Sequence, residues 1–240
     1  MDAAAPGQYN YSLTGIASWE MNMNGASCEY DRRRFLSAAA AVPAGLAAFT
    51  MMPEPILAAD EPINVLGPRR GYPPQIGTLV SMLTWMQAAI PRNVKGLSPA
   101  QLDYLPDVNA NTIGALLLHL AATETYYQMN TFEGMKWGSW PDAVKRKWDA
   151  AMNLGKAGRE SIKGHDLDYY MSVLKETREK SLAEFQRRDD AWLLNVDKQW
   201  SWGPTNNFCK WFHVCEHQSH HLGQIAFQKK RLPGSKQDGE

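Results

Sequence analysis

The chain has 240 residues, 44% apolar and 21% charged, the balance of a globular protein and not of a disordered one, with room for one ordinary domain and an extension. Its 25 basic and 25 acidic side chains cancel, which argues against the broad basic footprint of a nucleic-acid binder. Nine tryptophans supply the bulky rings that fill cores and line pockets.

Residues 1–59 read as an N-terminal extension and leader. DRRRFLSAAAAVPAGLAAF, residues 31–49, sets a basic patch ahead of Phe35-Leu36 and a weakly apolar Ala-rich run. PILAAD, residues 55–60, offers small residues for cleavage near Ala58 or Ala59. The stretch resembles a twin-arginine export signal, with Arg32-Arg33 as the paired arginines and Arg34 at the free position. It departs from that pattern at Ser37, where Lys is commoner, and at Asp31, where Ser or Thr is usual. The resemblance implies export of a folded protein to the periplasm or beyond, often with a cofactor already inserted. The other reading is an uncleaved membrane anchor, but Pro43 and Gly45 interrupt an apolar run of marginal length. No stable membrane span is therefore expected after cleavage. Met21 or Met23, just upstream of the signal, is expected to be the true start.

Residues 60–73 are rich in Pro and Gly and read as a linker, followed by a helical domain over 74–234 and a polar tail over 235–240. In 74–90, Ile76, Leu79, Leu83 and Met86 recur at helical spacing. Residues 97–105 read as a short helix and turn, with Ser98 as N-cap and Pro99 at the first position. A longer helix over 111–129 is expected to be capped by Asn111, and 140–155 reads as short and amphipathic. Residues 166–188 form a long, charge-laced pattern with Tyr170, Val173, Leu174 and Leu182 inward, Lys and Glu outward. Residues 207–232 continue as helix until Pro233-Gly234. With no strand pattern, four major helices and modest loops predict an all-α four-helix bundle.

The last helix holds His213, His217, His220 and His221, four of the six histidines in the chain. At about 100° per residue, His221 lies about 80° and His217 about 120° from the centre of the apolar arc of Trp211, Val214, Cys215, Leu222 and Ile225. His213 and His220 lie about 160° and 180° away. His217 and His221 also have the H-x-x-x-H spacing that stacks two imidazoles on one helical face for one ion. Such a pair needs a third ligand, and His119 and His165 remain. His165, after Gly164, reads as a loop residue, whereas His119 sits mid-helix among Leu116, Leu120, Thr123, Tyr126 and Tyr127. A histidine there needs a partner, either an ordinary hydrogen bond or a metal. The expected metal ligands are His119, His217 and His221; His213 and His220 read as rim residues. Glu216 is a candidate to accept a hydrogen bond from the outer N–H of a ligand imidazole, or is simply exposed. Cys209 and Cys215, on one helix, are about 9 Å apart in rise, beyond the roughly 7 Å limit for a disulfide, so no bridge is expected.

LSPAQLDYLPDVNANTIGALLLHLAATETYY and WFHVCEHQSHHLGQIAFQKKRLPG together resemble the DinB/YfiT-like superfamily, over residues 74–234. The resemblance implies a four-helix bundle with a non-adjacent connection and a divalent metal on one His of the second helix and the two of H-x-x-x-H. Carried onto this chain, those positions are His119, His217 and His221. Members include thiol-dependent S-transferases and metal-dependent hydrolases. Low-molecular-weight thiols are cytoplasmic, so an export signal speaks against the transferase and for a hydrolase acting on a small-molecule substrate. Three imidazoles leave an open position for water or substrate; zinc is the expected ion, with nickel or iron open. Tyr126, Tyr127 and Trp202 are candidate pocket residues. A non-catalytic metal- or ligand-binding module is the competing reading, and a homodimer is left open.

Overall fold

The computed structural model describes residues 61–234; the leader, its start and cleavage sites, Cys28 and the polar tail lie outside the described residues. Four long helices carry the domain: α1 (Pro74–Val94), α3 (Ile113–Thr131), α6 (Leu167–Phe185) and α8 (Asn207–Lys229). Between them stand α2 (Pro99–Leu102), α4 (Asp142–Asn153), α5 (Gly155–Ser161) and α7 (Asp190–Leu194). One ladder that the periodicity does not reveal pairs β1 (Val196–Asp197) antiparallel with β2 (Thr205–Asn206). Two-residue strands are too short for alternation to register.

The helix starts follow capping chemistry. Ser98 and Gln101 make the reciprocal capping box of α2. Asp166, Asp189 and Asn206 cap α6, α7 and α8 through their side-chain oxygens. Helix α1 begins at Pro74 with no side-chain cap of its own. Asp190, far along the chain, instead accepts from the N–H groups of Gln75 and Ile76, each at 3.1 Å. Helix α3 is capped by Thr112, not by the expected Asn111: Thr112 Oγ1 accepts from Ala115 N–H at 3.0 Å. Asn111 is engaged elsewhere, as described below.

Helix α3 packs on α6, α8 and α4, and α1 packs chiefly on α8. The successive long helices α1 and α3 therefore sit across the bundle from one another, the non-adjacent connection that the resemblance implies. Enclosed on three sides, α3 is buried almost all round, including Leu116, Leu117, Ala121 and Ala122 at 0% exposure. Its approach to α6 depends on Gly114, where a Cβ would lie 2.5 Å from Tyr170 Oη. At the far end, Phe132 meets Phe185, Trp192 and Trp211 ring to ring, and Trp211 Nε1 donates to Thr131 Oγ1 at 3.0 Å. Burial of each such ring contributes roughly 1.5–3 kcal/mol. Cys209 and Cys215 are free thiols, one exposed and one buried.

Candidate metal centre

Helix α3 carries His119 into the middle of the bundle and α8 brings His217 and His221 against it. His119 Nε2 lies 3.2 Å from His217 Nε2, and His221 Nε2 lies 3.0 Å from that same atom. His119 and His221 are each 7% exposed and His217 is half-buried. The structure thus brings together the three expected ligands. His165 stays in its loop, stacked on Tyr169.

Two of the rings are held from behind. His119 Nδ1 donates to the Ala151 carbonyl at 2.9 Å. That carbonyl is available because α4 ends: Leu154 takes φ +54° and ψ −140°, a conformation that costs a non-glycine residue about 1–3 kcal/mol. In a continuing helix Gly155 N–H would bond the Ala151 carbonyl; here it donates to Asn111 Oδ1 at 2.9 Å. Asn111 thereby diverts the N–H that would otherwise compete with His119. His221 Nδ1 donates to Gln224 Oε1 at 3.0 Å, and Gln224 Nε2 donates to His220 Nε2 at 3.0 Å. His220, expected to be a bystander, thus orients the amide that orients a ligand.

Glu216 supports none of the three ligands by a hydrogen bond. It is exposed and pairs with His213 Nδ1 at 2.5 Å, one turn away on the outer face of α8. At about 100° per residue Glu216 lies about 100° from His217 and about 140° from His221 but only about 60° from His213, and its oxygen meets that nearer imidazole.

With Nδ1 protonated on both His119 and His221, both Nε2 atoms present lone pairs to His217 Nε2, which carries at most one proton. Such a convergence is repulsive unless a cation is shared. Burial, and then the neighbouring imidazoles, push His217 down to about 2 and His221 down to about 4, and burial pushes His119 down as well. All three are neutral at pH 7, the form in which imidazole binds metal. Zinc bonds of 2.0–2.1 Å in tetrahedral array set ligand nitrogens about 3.3 Å apart; the two pairs that share His217 Nε2 are at 3.0 and 3.2 Å, and all three nitrogens lie within 4.8 Å of one another. The residues fit a divalent ion. Among the described residues no fourth His, Cys, Asp or Glu joins the cluster.

Aromatic rings extend from the cluster to the surface. His217 touches His213 (ring centroids 5.3 Å), and His213 touches Trp202 edge to face at 4.9 Å. Trp202 meets Trp200, and Trp200 meets Trp137, again edge to face. Trp202 is 55% exposed and Trp137 37%. Tyr126 and Tyr127 are buried behind them, at 3% and 2%, and pack the wall rather than face solvent. The β1–β2 turn is held in place by Lys210, whose Nζ donates to Asp197 Oδ2 and Asn130 Oδ1 at 2.9 Å and lies 4.1 Å over the Trp200 ring. That ammonium holds the Asp197 carboxyl below its ordinary value. In the sequence, Trp137, Trp140 and Trp200 stand out only as part of a tryptophan excess. Gln224 is detectable at one turn from His221, whereas the Ala151 carbonyl carries no sequence signal.

Comparison with known proteins bears on the fold and the family. A crystal structure of a conserved protein from Enterococcus faecalis superposes with a TM-score of 0.50 at 13% identity, over 65% of this chain and 95% of that one. That likeness shows the all-α fold alone. A search of the curated proteins finds no match. The family model described as mycothiol-S-transferase matches residues 78–234, a span that contains all three histidines and nearly all of the bundle. The chain belongs to the mycothiol-S-transferase family, within the DinB/YfiT-like proteins.

Proposed function

We propose that the chain is a metal-dependent enzyme in which His119, His217 and His221 hold a divalent ion and leave a position for a small nucleophile. The observation that carries this reading is the convergence of three neutral Nε2 atoms with no fourth protein ligand among the described residues. When bound, such an ion supplies the Lewis acidity that lets a thiol or a water molecule lose its proton near neutral pH. Imidazole donors suit zinc, nickel and iron alike, and zinc is the ion proposed.

The family match favours a low-molecular-weight thiol as the nucleophile and S-transfer to an electrophile as the reaction. The chain's own residues then orient the site: the Ala151 carbonyl and Gln224 fix two imidazoles, and Trp202 and Trp137 offer an aromatic surface to an apolar electrophile. Water is the second reading, and hydrolysis its outcome. It is favoured by the Arg32-Arg33 leader, since twin-arginine export would carry the folded, metal-loaded protein away from cytoplasmic thiols.

The test is elemental analysis of the purified protein and of His119→Ala, His217→Ala and His221→Ala, followed by parallel assays of thiol consumption with an electrophile and of ester hydrolysis. Wild type is expected to hold one divalent ion per chain and each variant to lose it. Metal without turnover in either assay would favour a binding module instead. N-terminal sequencing of protein recovered from the periplasmic fraction tests export and locates the cleavage site.

A further inference from the structure

The middle of the bundle holds a charged pair that coordination does not use. Arg178 of α6 and Glu124 of α3 are each 4% exposed. Arg178 Nε and Nη2 donate to the two Glu124 oxygens at 2.7 and 2.9 Å. Arg178 Nη1 donates to the Leu83 carbonyl of α1 at 2.5 Å, and Nη2 also reaches Gln218 Oε1 of α8 at 3.3 Å. Ser181 Oγ donates to Glu124 Oε1 at 2.6 Å. One guanidinium on α6 therefore bonds to each of the other three long helices.

Cohesion alone is a poor account of this arrangement. Desolvating two charges offsets most of their attraction, and an apolar pair of similar size is often as stable. The better attested use of a buried polar group is to fix the register of helices whose apolar faces would otherwise slide. The tied residues stand beside the metal ligands: Gln218 directly follows His217 on α8, and Glu124 lies little more than a turn after His119 on α3. A coordination site tolerates errors of only about 0.5 Å, and charge-assisted hydrogen bonds of fixed geometry hold a register more tightly than apolar contact alone.

We infer that Arg178 is a positioning residue for the metal centre, setting α3 against α8 through Glu124 and Gln218 so that His119 meets His217 and His221. The inference rests on the metal-centre reading proposed above.

The test uses Co2+ as the probe, with the full chain, in wild type, in Glu124→Leu/Arg178→Met and in Gln218→Met. The double variant replaces the ion pair by apolar groups of similar bulk; the single variant cuts only the tie to α8. Both are expected to keep wild-type helicity by circular dichroism while the Co2+ dissociation constant rises about tenfold and the visible Co2+ band shifts. A folded double variant, or a folded Gln218→Met, with the wild-type constant and band would overturn the inference. Should the double variant fail to fold, Gln218→Met decides alone. Wild type that binds neither Co2+ nor Zn2+ would sink the metal-centre reading and this inference with it, a result distinct from variants that match a binding wild type.

Discussion

Asn111 Oδ1 accepts the N–H of Gly155 at 2.9 Å and thereby leaves the Ala151 carbonyl to His119 Nδ1. A side chain at the mouth of one helix thus sets the tautomer of a histidine two turns further along that helix, by way of the broken end of another. Asn111→Leu is expected to keep the bundle, because Thr112 caps α3 independently. It removes the acceptor that holds Gly155 N–H away from Ala151. Zinc affinity should fall about tenfold, in line with other outer-shell changes. Competition with a chromophoric chelator measures this, and an unchanged constant would mean that the Ala151 carbonyl is held by the backbone alone.

The three depressed imidazoles make stability depend on pH with a definite sign. In the unfolded chain histidine titrates near about 6.5, whereas in the fold His221 is pushed down to about 4 and His217 to about 2. Between those values the unfolded state binds more protons, so stability rises with pH across the window. The metal-free protein should be most stable above about pH 6.5 and lose stability progressively as the pH falls toward 4. Urea midpoints at pH 7 and pH 5 check this; a midpoint that is higher at pH 5 contradicts it. For the same reason protons compete weakly for the site, and metal should survive dialysis at pH 5.

Trp202 should matter to the substrate and little to the fold. Its ring is exposed and lies two ring contacts from His217. Trp202→Ala is expected to raise KM for an electrophile with a planar aromatic group several-fold, with kcat and melting temperature nearly unchanged. Surface substitutions of this kind usually change stability by within about 0.5 kcal/mol. Equal KM values for wild type and variant would show that the substrate does not use this wall.

Gly114 and Tyr170 form a tight pair that can be read by a mutant cycle. A methyl at 114 would press on Tyr170 Oη and Cζ at 2.5 and 2.7 Å, inside the core. Gly114→Ala should cost about 1–3 kcal/mol. Tyr170 Oη is buried with no hydrogen-bond partner among the described residues, so Tyr170→Phe should be neutral or stabilising. Combined with Gly114→Ala, it should recover part of the loss, a coupling that denaturant unfolding would resolve.

Glu216→Gln should leave metal content unchanged, because its carboxylate is engaged by His213 on the outer face of α8. Loss of metal in that variant would place the carboxylate in the site after all.

The histidines were legible for different reasons: His217 and His221 share the H-x-x-x-H spacing on the face of α8 that leans inward, whereas His119 stood out as a histidine in the middle of an apolar helix. What escaped lies between elements. Arg178 sits on a helix whose charges read as outward, and it is buried only because Glu124 arrives from α3 to meet it. Asn111 and Thr112 are both good N-caps, and the choice between them was made by Gly155, forty-four residues further on. The Ala151 contact is made by a backbone atom, and a sequence names side chains.

The ligands from α3 and α8 stand 98 residues apart at their closest pairing, and the helices bearing them meet only in the finished bundle. During synthesis His119 emerges long before its partners, and it can coordinate nothing with them until α8 has been made and docked. Metal uptake by all three histidines would therefore be a late event that follows folding instead of nucleating it. An ion that binds only the native state stabilises it by mass action, so loading would lock a chain already folded. Occupancy would then serve as a mark of completed folding.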